Sequence, residues 1–376
     1  MLKVLENRSS FLDEELVKQV KRDNNSKRNY LLVDSMQGKH VPAVPGDVLR
    51  LYSELAFQAY GKYTEKKIVF IGFAETATAV GAGVASAFPD SYYIHTTREE
   101  RDKGFLTAEF REEHSHAAEQ LLYSKEWKKI ARCVDRIVFV EDEITTGKTI
   151  MNFINVLRQD EKLSKKVKFS AISILNGMKD ERKEELLKEG VDFTYLVKID
   201  AAPDRDGAYT FEANEKENVE KAEFETVTVT GMKDPRLGLV TSEYTKACAK
   251  IFEEISKKYQ LFGQRIAVVG TEECMYPAIL TASLIEKNTG AESVVTHSST
   301  RSPIIPDNEE NYPLVSRFRV ESLYDENRTT FIYNSDQREY DTVFIITDSK
   351  REDICIDRFA NAFSKSGKTV LVRWIK

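Results

Sequence analysis

The stretch Arg136–Ile154, RIVFVEDEITTGKTIMNFI, decides how the rest of the chain is read. Its apolar run Ile137-Val138-Phe139-Val140 is short, rich in β-branched residues and uninterrupted. That composition suits a strand buried on both faces of a parallel sheet. Glu141, Asp142 and Glu143 place negative charge at its carboxyl end, and Thr145-Thr146-Gly147-Lys148-Thr149 follows. An apolar helix is predicted from Ile150. Open α/β sheets bind ligands beyond the carboxyl ends of their strands. The stretch is therefore a candidate site as well as a fold marker.

Outward from it, strands and helices alternate. KIVFIGFAETATAVGAGVASAF reads as strand, loop and helix, SYYIHTTREERDKG as a strand and a basic loop, and KFSAISILNG and FTYLVKI as two more strands. A helix is predicted from Val48 to Tyr60, and a polar surface helix with a loop from Asn7 to Tyr30. Such alternation implies βαβ units and a mostly parallel sheet. The polar, Gly-containing segment after Pro203 is the linker candidate. The expected organisation is a domain over 1–203, a linker over 204–225 and a second domain over 226–376.

After the linker the pattern returns. RIAVVGTEECMYPAILTASL has the layout of KIVFIGFAETATAVGAGVAS, so that Glu273 faces Glu75. VVTHSSTRSP follows YIHTTREERD, with Arg301 facing Arg98, and YDTVFIITDSK follows VDRIVFVEDEI, with Asp348 facing Asp142. Three matched elements in one order predict an internal duplication. The competing account is that any two α/β domains share strand-Gly-helix units. The second copy lacks the TTGKT loop.

Composition narrows the function. The chain has 376 residues, 41% hydrophobic and 31% charged, which favours two globular domains. The formal charge of -6 makes nucleic acid or an anionic membrane an unexpected partner. Four dispersed cysteines without CxxC spacing speak against a zinc ribbon or a disulfide framework. The charged N-terminus resembles no signal peptide, and no apolar run is long enough to span a bilayer; the expectation is a cytoplasmic protein.

The loop's chemistry points to phosphate. Backbone amides around Gly147, the threonine hydroxyls and the start of the next helix can together hold a dianion. A Walker A loop is excluded, since it needs Gly five positions before Gly-Lys-Thr and Asp142 stands there. Carboxylates at the strand end suit the vicinal hydroxyls of a sugar, and nearby negative charge stabilises an oxocarbenium-like state at its anomeric carbon. The alternative is a solvated acidic strand end with a capped helix.

Adjacent acids followed by Thr-Thr-Gly-x-Thr resemble the fingerprint of type I phosphoribosyltransferases. The resemblance implies that Glu141 and Asp142 bind the ribose hydroxyls of phosphoribosyl pyrophosphate, directly or through Mg²⁺. It implies that Thr145, Thr146, Gly147, Lys148 and Thr149 hold its 5'-phosphate. Ala74, Glu75 and Thr76 occupy the place of the pyrophosphate loop. Arg98, Arg101 and Lys103 are the candidate cations for the leaving group, with a solvated charged loop as the alternative. Glu143 departs from the family's usual aliphatic residue, and Glu75 is unusual beside a pyrophosphate.

GKHVP, GFAETATA, HTTR, EEHSHA and the acid–threonine loop together resemble a narrower group. These are phosphoribosyltransferase-like proteins with a C-terminal TRSP domain, whose signature stands here as Thr300-Arg301-Ser302-Pro303. DPRLG, GTEECMYPA and TTFIYN fit the same group. The expected fold class is α/β with two Rossmann-like domains, a type I phosphoribosyltransferase fold and a TRSP domain that the repeated pattern marks as a candidate degenerate duplicate. It also implies a setting in bacterial tellurium-resistance and stress gene neighbourhoods, and a nucleoside-like product. Arg301, Ser302 and Glu273 are expected at a phosphate or carboxylate ligand, or as an Arg–Glu brace. Lys39 and His40 are expected at the acceptor, or in a merely ordered loop. All five histidines, His40, His95, His114, His116 and His297, fall in these stretches. Metal binding by the His114/His116 pair lacks a third ligand nearby.

The resulting expectation is a Mg²⁺-dependent phosphoribosyltransferase with an unknown small-molecule acceptor, a homodimer as such folds commonly are. The competing readings are a non-catalytic sensor of phosphoribosyl pyrophosphate or nucleotide, and a hydrolase of a phosphoribosyl compound.

Overall fold

A computed structural model describes residues 2–23, 29–110, 120–200 and 220–376. The first half is built on a seven-stranded sheet in the order Lys3–Asn7, Val191–Asp200, Lys168–Asn176, Arg136–Ile144, Ile68–Gly72, Tyr92–His95, Leu239–Val240. The inner five strands are parallel and the two outermost antiparallel. Arg136–Ile144 is thus the middle strand. Its side chains alternate between two cores: Val138 and Val140 join Leu55 and Val80 in one, Ile137 and Phe139 join Phe153 and Ile154 in the other. Full burial of such a side chain contributes roughly 1.5–3 kcal/mol, so the run quoted at the outset is held from both faces.

That strand is longer than its apolar run. It continues through the acids to Ile144, pairing Glu141 with Ser173 and Glu143 with Leu175 on one side. On the other side pairing stops at Gly72 with Val140. The acids therefore project past the end of Ile68–Gly72. The chain runs from that strand to Tyr92–His95 on one flank and then crosses to Arg136–Ile144 on the other. This reversal of direction is where an open sheet leaves a crevice for ligand.

The second half has a five-stranded, all-parallel sheet: Glu225–Thr230, Lys368–Ile375, Thr342–Thr347, Arg265–Thr271, Ser293–Ser299. The strands matched by sequence occupy the same order in both sheets, and in the same register. Gly72 pairs with Val140, and its counterpart Gly270 with Ile346. A Cβ on either glycine would lie 2.8 Å from a backbone carbonyl of the following loop, of Ala77 and of Cys274 respectively. On the outer flank Gly72 faces His95 and Gly270 faces Ser298, which brings Arg98 and Arg301 into correspondence.

The halves interlock. Leu239–Val240 of the second half adds the last strand of the first sheet, against Tyr92–His95. Ala43 of the first half bridges Thr296, on the outer strand of the second sheet. One core runs through both, with Leu51 and Leu55 of helix Pro45–Ala59 sharing it with Ile279 of helix Met275–Asn288. The segment Asn7–Tyr30 differs from the predicted surface helix. It holds one short helix, Asp13–Leu16, and then Lys18–Lys21, which pairs with Tyr30–Val33. The cause is tertiary: Val20 and Val33 pack on Ile304, Leu314 and Tyr333. Asp23 donates its amide to the Pro303 carbonyl at 2.9 Å.

Candidate functional site

Glu141 and Asp142 are half-buried at the crevice. Among the described residues no ion pair reaches either one. Loss of hydration, reinforced by Asp142 and Glu143, pushes the Glu141 carboxyl well above its ordinary range, against smaller opposing pulls from the Asp142 backbone amide and Arg98. Arg98 is exposed. Charge here is left unanswered by the protein, the condition for answering it with a ligand.

The threonine loop adjoins the acids. Thr145, Thr146 and Lys148 are exposed and Thr149 half-buried. Gly147 has φ 66°, in the left-handed region that favours glycine. That turn redirects the chain from strand to helix Lys148–Arg158, whose first amides are left without helical partners. Arg182, not anticipated from sequence, donates to the Thr146 carbonyl at 3.3 Å and adds positive charge there. Lys103 is exposed in a turn, Lys103–Phe105, while Arg101 pairs with Asp234 of the second half at 3.0 Å.

Asp34 also went unanticipated, although LLVDSMQGKH shows the same pattern of an acid directly after an apolar run. It is buried, and its Oδ1 accepts the Met36 amide at 2.8 Å while Oδ2 has no partner. Burial, with the field of Asp142, pushes its carboxyl up to about 8. At neutral pH Asp34 is a protonated acid at the edge of the crevice.

The other predicted residues lie where the halves meet. Glu75 follows a cis Ala74–Glu75 peptide, and the Ala74 amide donates to Thr96 at 2.8 Å while its carbonyl accepts from Gln120 at 2.7 Å. Thr76 accepts from Gln37 through its carbonyl. Glu75 and Lys39 form a buried ion pair at 3.3 Å, and Arg301 approaches Glu75 at 3.3 Å. The unusual position of Glu75 is thereby explained: its charge is answered twice. Arg301 also reaches Glu272 at 2.8 Å and Glu99 at 2.9 Å, and Arg328 joins the same two acids. Ser302 accepts from Tyr333 through its carbonyl at 2.6 Å, a loop contact.

Glu273 and Asp348 sit at the equivalent crevice of the second sheet. There Arg236 fills it, bonding Glu273 at 2.6 Å and reaching Asp348, while Tyr324 donates to Asp348 at 2.6 Å. Glu273 also accepts from Thr97 of the first half at 2.9 Å. Burial alone would raise both carboxyls, but Arg236 overcomes it and holds each at about 2.

The described histidines, His40, His95 and His297, are buried, and burial pushes each ring below its ordinary value, to about 4 for His95 and about 3 for His297. His114 and His116 lie outside the described residues. Among the described residues no group of three or more His, Cys, Asp or Glu is disposed to hold a metal ion. No described helix is long and apolar enough to cross a membrane.

Several solved structures are similar in part. Orotate phosphoribosyltransferase from Aeropyrum pernix is 17% identical over 49% of this chain and 89% of that one, with a TM-score of 0.32. Adenine phosphoribosyltransferase from Rhodothermus marinus is 12% identical over 49% and 95%, with a TM-score of 0.36. That from Leishmania donovani is 13% identical over 53% and 86%, with a TM-score of 0.36. No curated protein sequence matches the chain. Residues 16–202 match the profile of a phosphoribosyl transferase family, and residues 233–363 that of the TRSP domain C-terminal to it. The chain belongs to the family in which a phosphoribosyl transferase domain is followed by a TRSP domain.

Proposed function

We propose that the chain transfers the phosphoribosyl group of phosphoribosyl pyrophosphate to a nucleophilic small molecule, at the crevice beyond Arg136–Ile144. One observation carries this reading: two half-buried acids without ion-pair partners are separated by two residues from a Thr-Thr-Gly turn whose threonines are exposed and which opens a helix. Glu141 and Asp142 take the ribose hydroxyls. The amides and hydroxyls of Thr145–Thr149 take the 5'-phosphate. Arg98 and Lys103 face the leaving pyrophosphate, whose bond to the anomeric carbon breaks as the bond to the nucleophile forms. The acids stabilise the positive charge that develops on the sugar.

Magnesium fits this donor set. It binds through one or two protein carboxylates together with substrate phosphates and water, so a cluster of three protein ligands is not required. Glu141 and Asp142 would hold it, and when bound it supplies charge neutralisation at the pyrophosphate. The acceptor remains to be identified, and the proposed setting is a cytoplasmic homodimer in a bacterial tellurium-resistance and stress pathway. A binding-only sensor is the second reading. It is favoured by the ion pairs that tie Glu75 to Lys39 and to Arg301 of the other half.

Calorimetric titration of phosphoribosyl pyrophosphate with Mg²⁺ tests the site. The native chain is expected to bind in the micromolar range, and Glu141→Gln/Asp142→Asn to lose binding by roughly 100-fold or more, about 3 kcal/mol. A folded native chain that does not bind would refute the assignment. Binding without pyrophosphate release on any base tried would select the sensor.

A further inference from the structure

A cavity of about 530 Å³ lies in the second half and is independent of the crevice above. Its lining comes from the carboxyl ends of three neighbouring parallel strands: Thr228 on the first, Arg373 and Ile375 on the second, and Asp348-Ser349-Lys350 just after the third. The last two strands are the counterparts of Lys168–Asn176 and Arg136–Ile144. The cavity thus lies where the first half places its threonine loop and the helix that follows. In the second half Asp348-Ser349-Lys350-Arg351 replaces that loop, and the next helix does not begin until Asp357. The space remains open.

Its charges favour an anion. Lys350, Arg373 and Lys376 line it, against the acids Asp348 and Glu352. Asp348 is already committed to Arg236 and Tyr324. Arg373 donates one guanidinium nitrogen to the Arg351 carbonyl, while its buried Nε has no partner. A buried donor without an acceptor costs free energy until something accepts from it. Partial burial, and then the nearby charges of Arg101, Lys376 and Arg236, depress the Lys350 ammonium, against the opposing pull of Asp234. Met232 and Ile375 give the cavity an apolar wall. Its volume lies within the roughly 300–1,000 Å³ typical of small-molecule sites.

We propose that this cavity is a second ligand site, which takes a phosphorylated small molecule of about nucleotide size. Lys350, Arg373 and Lys376 hold the phosphate, and Met232 and Ile375 face the apolar part. The site needs no chemistry at the threonine loop and stands whether or not the first half is a transferase.

The test is calorimetry on the full chain with inorganic phosphate, ribose 5-phosphate and AMP, each used alone. At least one is expected to saturate a site that Lys350→Glu weakens by roughly 10-fold or more. Glu352→Gln, which removes the opposing charge, is expected to strengthen the same site several-fold. Glu141→Gln/Asp142→Asn should leave it unchanged. Lys350 and Glu352 are exposed, so neither variant is expected to alter the melting temperature. If Lys350→Glu and Glu352→Gln leave the binding of all three probes unchanged, the proposal is wrong. It is equally wrong if none of the probes binds the native chain.

Discussion

The two crevices of this molecule share strand order, register and a strand-end acid, yet they treat their charge in opposite ways. In the second half Arg236 bridges Glu273 and Asp348, and Arg301 and Arg328 answer Glu272. In the first half burial and the neighbours Asp142 and Glu143 raise the Glu141 carboxyl, against a weaker pull from the Asp142 amide and Arg98, and burial raises that of Asp34 nearby. One crevice is plugged by an arginine from its own chain. The other holds charge that a sugar, a metal or a cation must answer. The same geometry can therefore become a brace or a site, and what decides is whether the counter-charge is covalently attached.

The contrast breaks most directly at Arg236. Arg236→Met would leave two buried carboxylates unpaired, and unfolding in denaturant should show a loss of about 3–5 kcal/mol. Adding Glu273→Gln and Asp348→Asn should recover much of it. A loss below about 1 kcal/mol would mean that the plug does not hold the crevice. The pH signature has a definite sign. Glu273 and Asp348 titrate at about 2 in the folded chain, below their ordinary values of 4.5 and 3.8. Their contribution is present above pH 4.5 and is lost as pH falls toward 2.

Asp34 sharpens the contrast from the other side. Its carboxyl titrates at about 8 when folded and near 3.8 when unfolded, so between these values the unfolded chain has given up a proton that the folded chain keeps. Stability associated with it falls as pH rises through that window. Asp34→Asn should raise stability by roughly 2–4 kcal/mol at pH 9 and change it little near pH 4. Equal effects at both pH values would show that Asp34 is not held protonated.

The smallest effect is expected at the loop that only the first half retains. Gly147→Ala should cost about 1–2 kcal/mol, since a side chain is disfavoured at its positive φ. Its Cβ would also meet Leu186 at 2.9 Å. Affinity for phosphoribosyl pyrophosphate should fall further than stability does. Unchanged affinity would mean that the amides of this turn do not hold the phosphate.

Much of this is legible in the chain alone. RIVFVEDEITTGKT carries its own evidence, because strand, acids, turn and helix start are all set by residues within twenty positions. The matching strand order and register of the two sheets are legible for the same reason, since each matched unit is local. What sequence does not show is pairing at a distance. Glu75 and Arg301 are 226 residues apart, and Arg236 and Asp348 are 112 apart. Lys39 and Arg301, expected at a ligand or in a brace, meet a shared carboxylate. The burial of His40, His95 and His297 is likewise a tertiary property that the chain alone does not display. Asp34 escapes notice because its shift comes mainly from burial, which the chain alone does not display, with a smaller contribution from Asp142 far along the chain.

The exchange of edges between the sheets bears on how such a protein can be inherited. Leu239–Val240 closes the sheet of the first half, and Ala43 sits on the outer strand of the second. A break between the halves would strip both of cover and leave bare strand edges, which invite association with other chains. The unit of selection is therefore the pair. A TRSP half shuffled onto another partner would arrive without its seal, and the phosphoribosyl transferase half left behind would have lost its outermost strand.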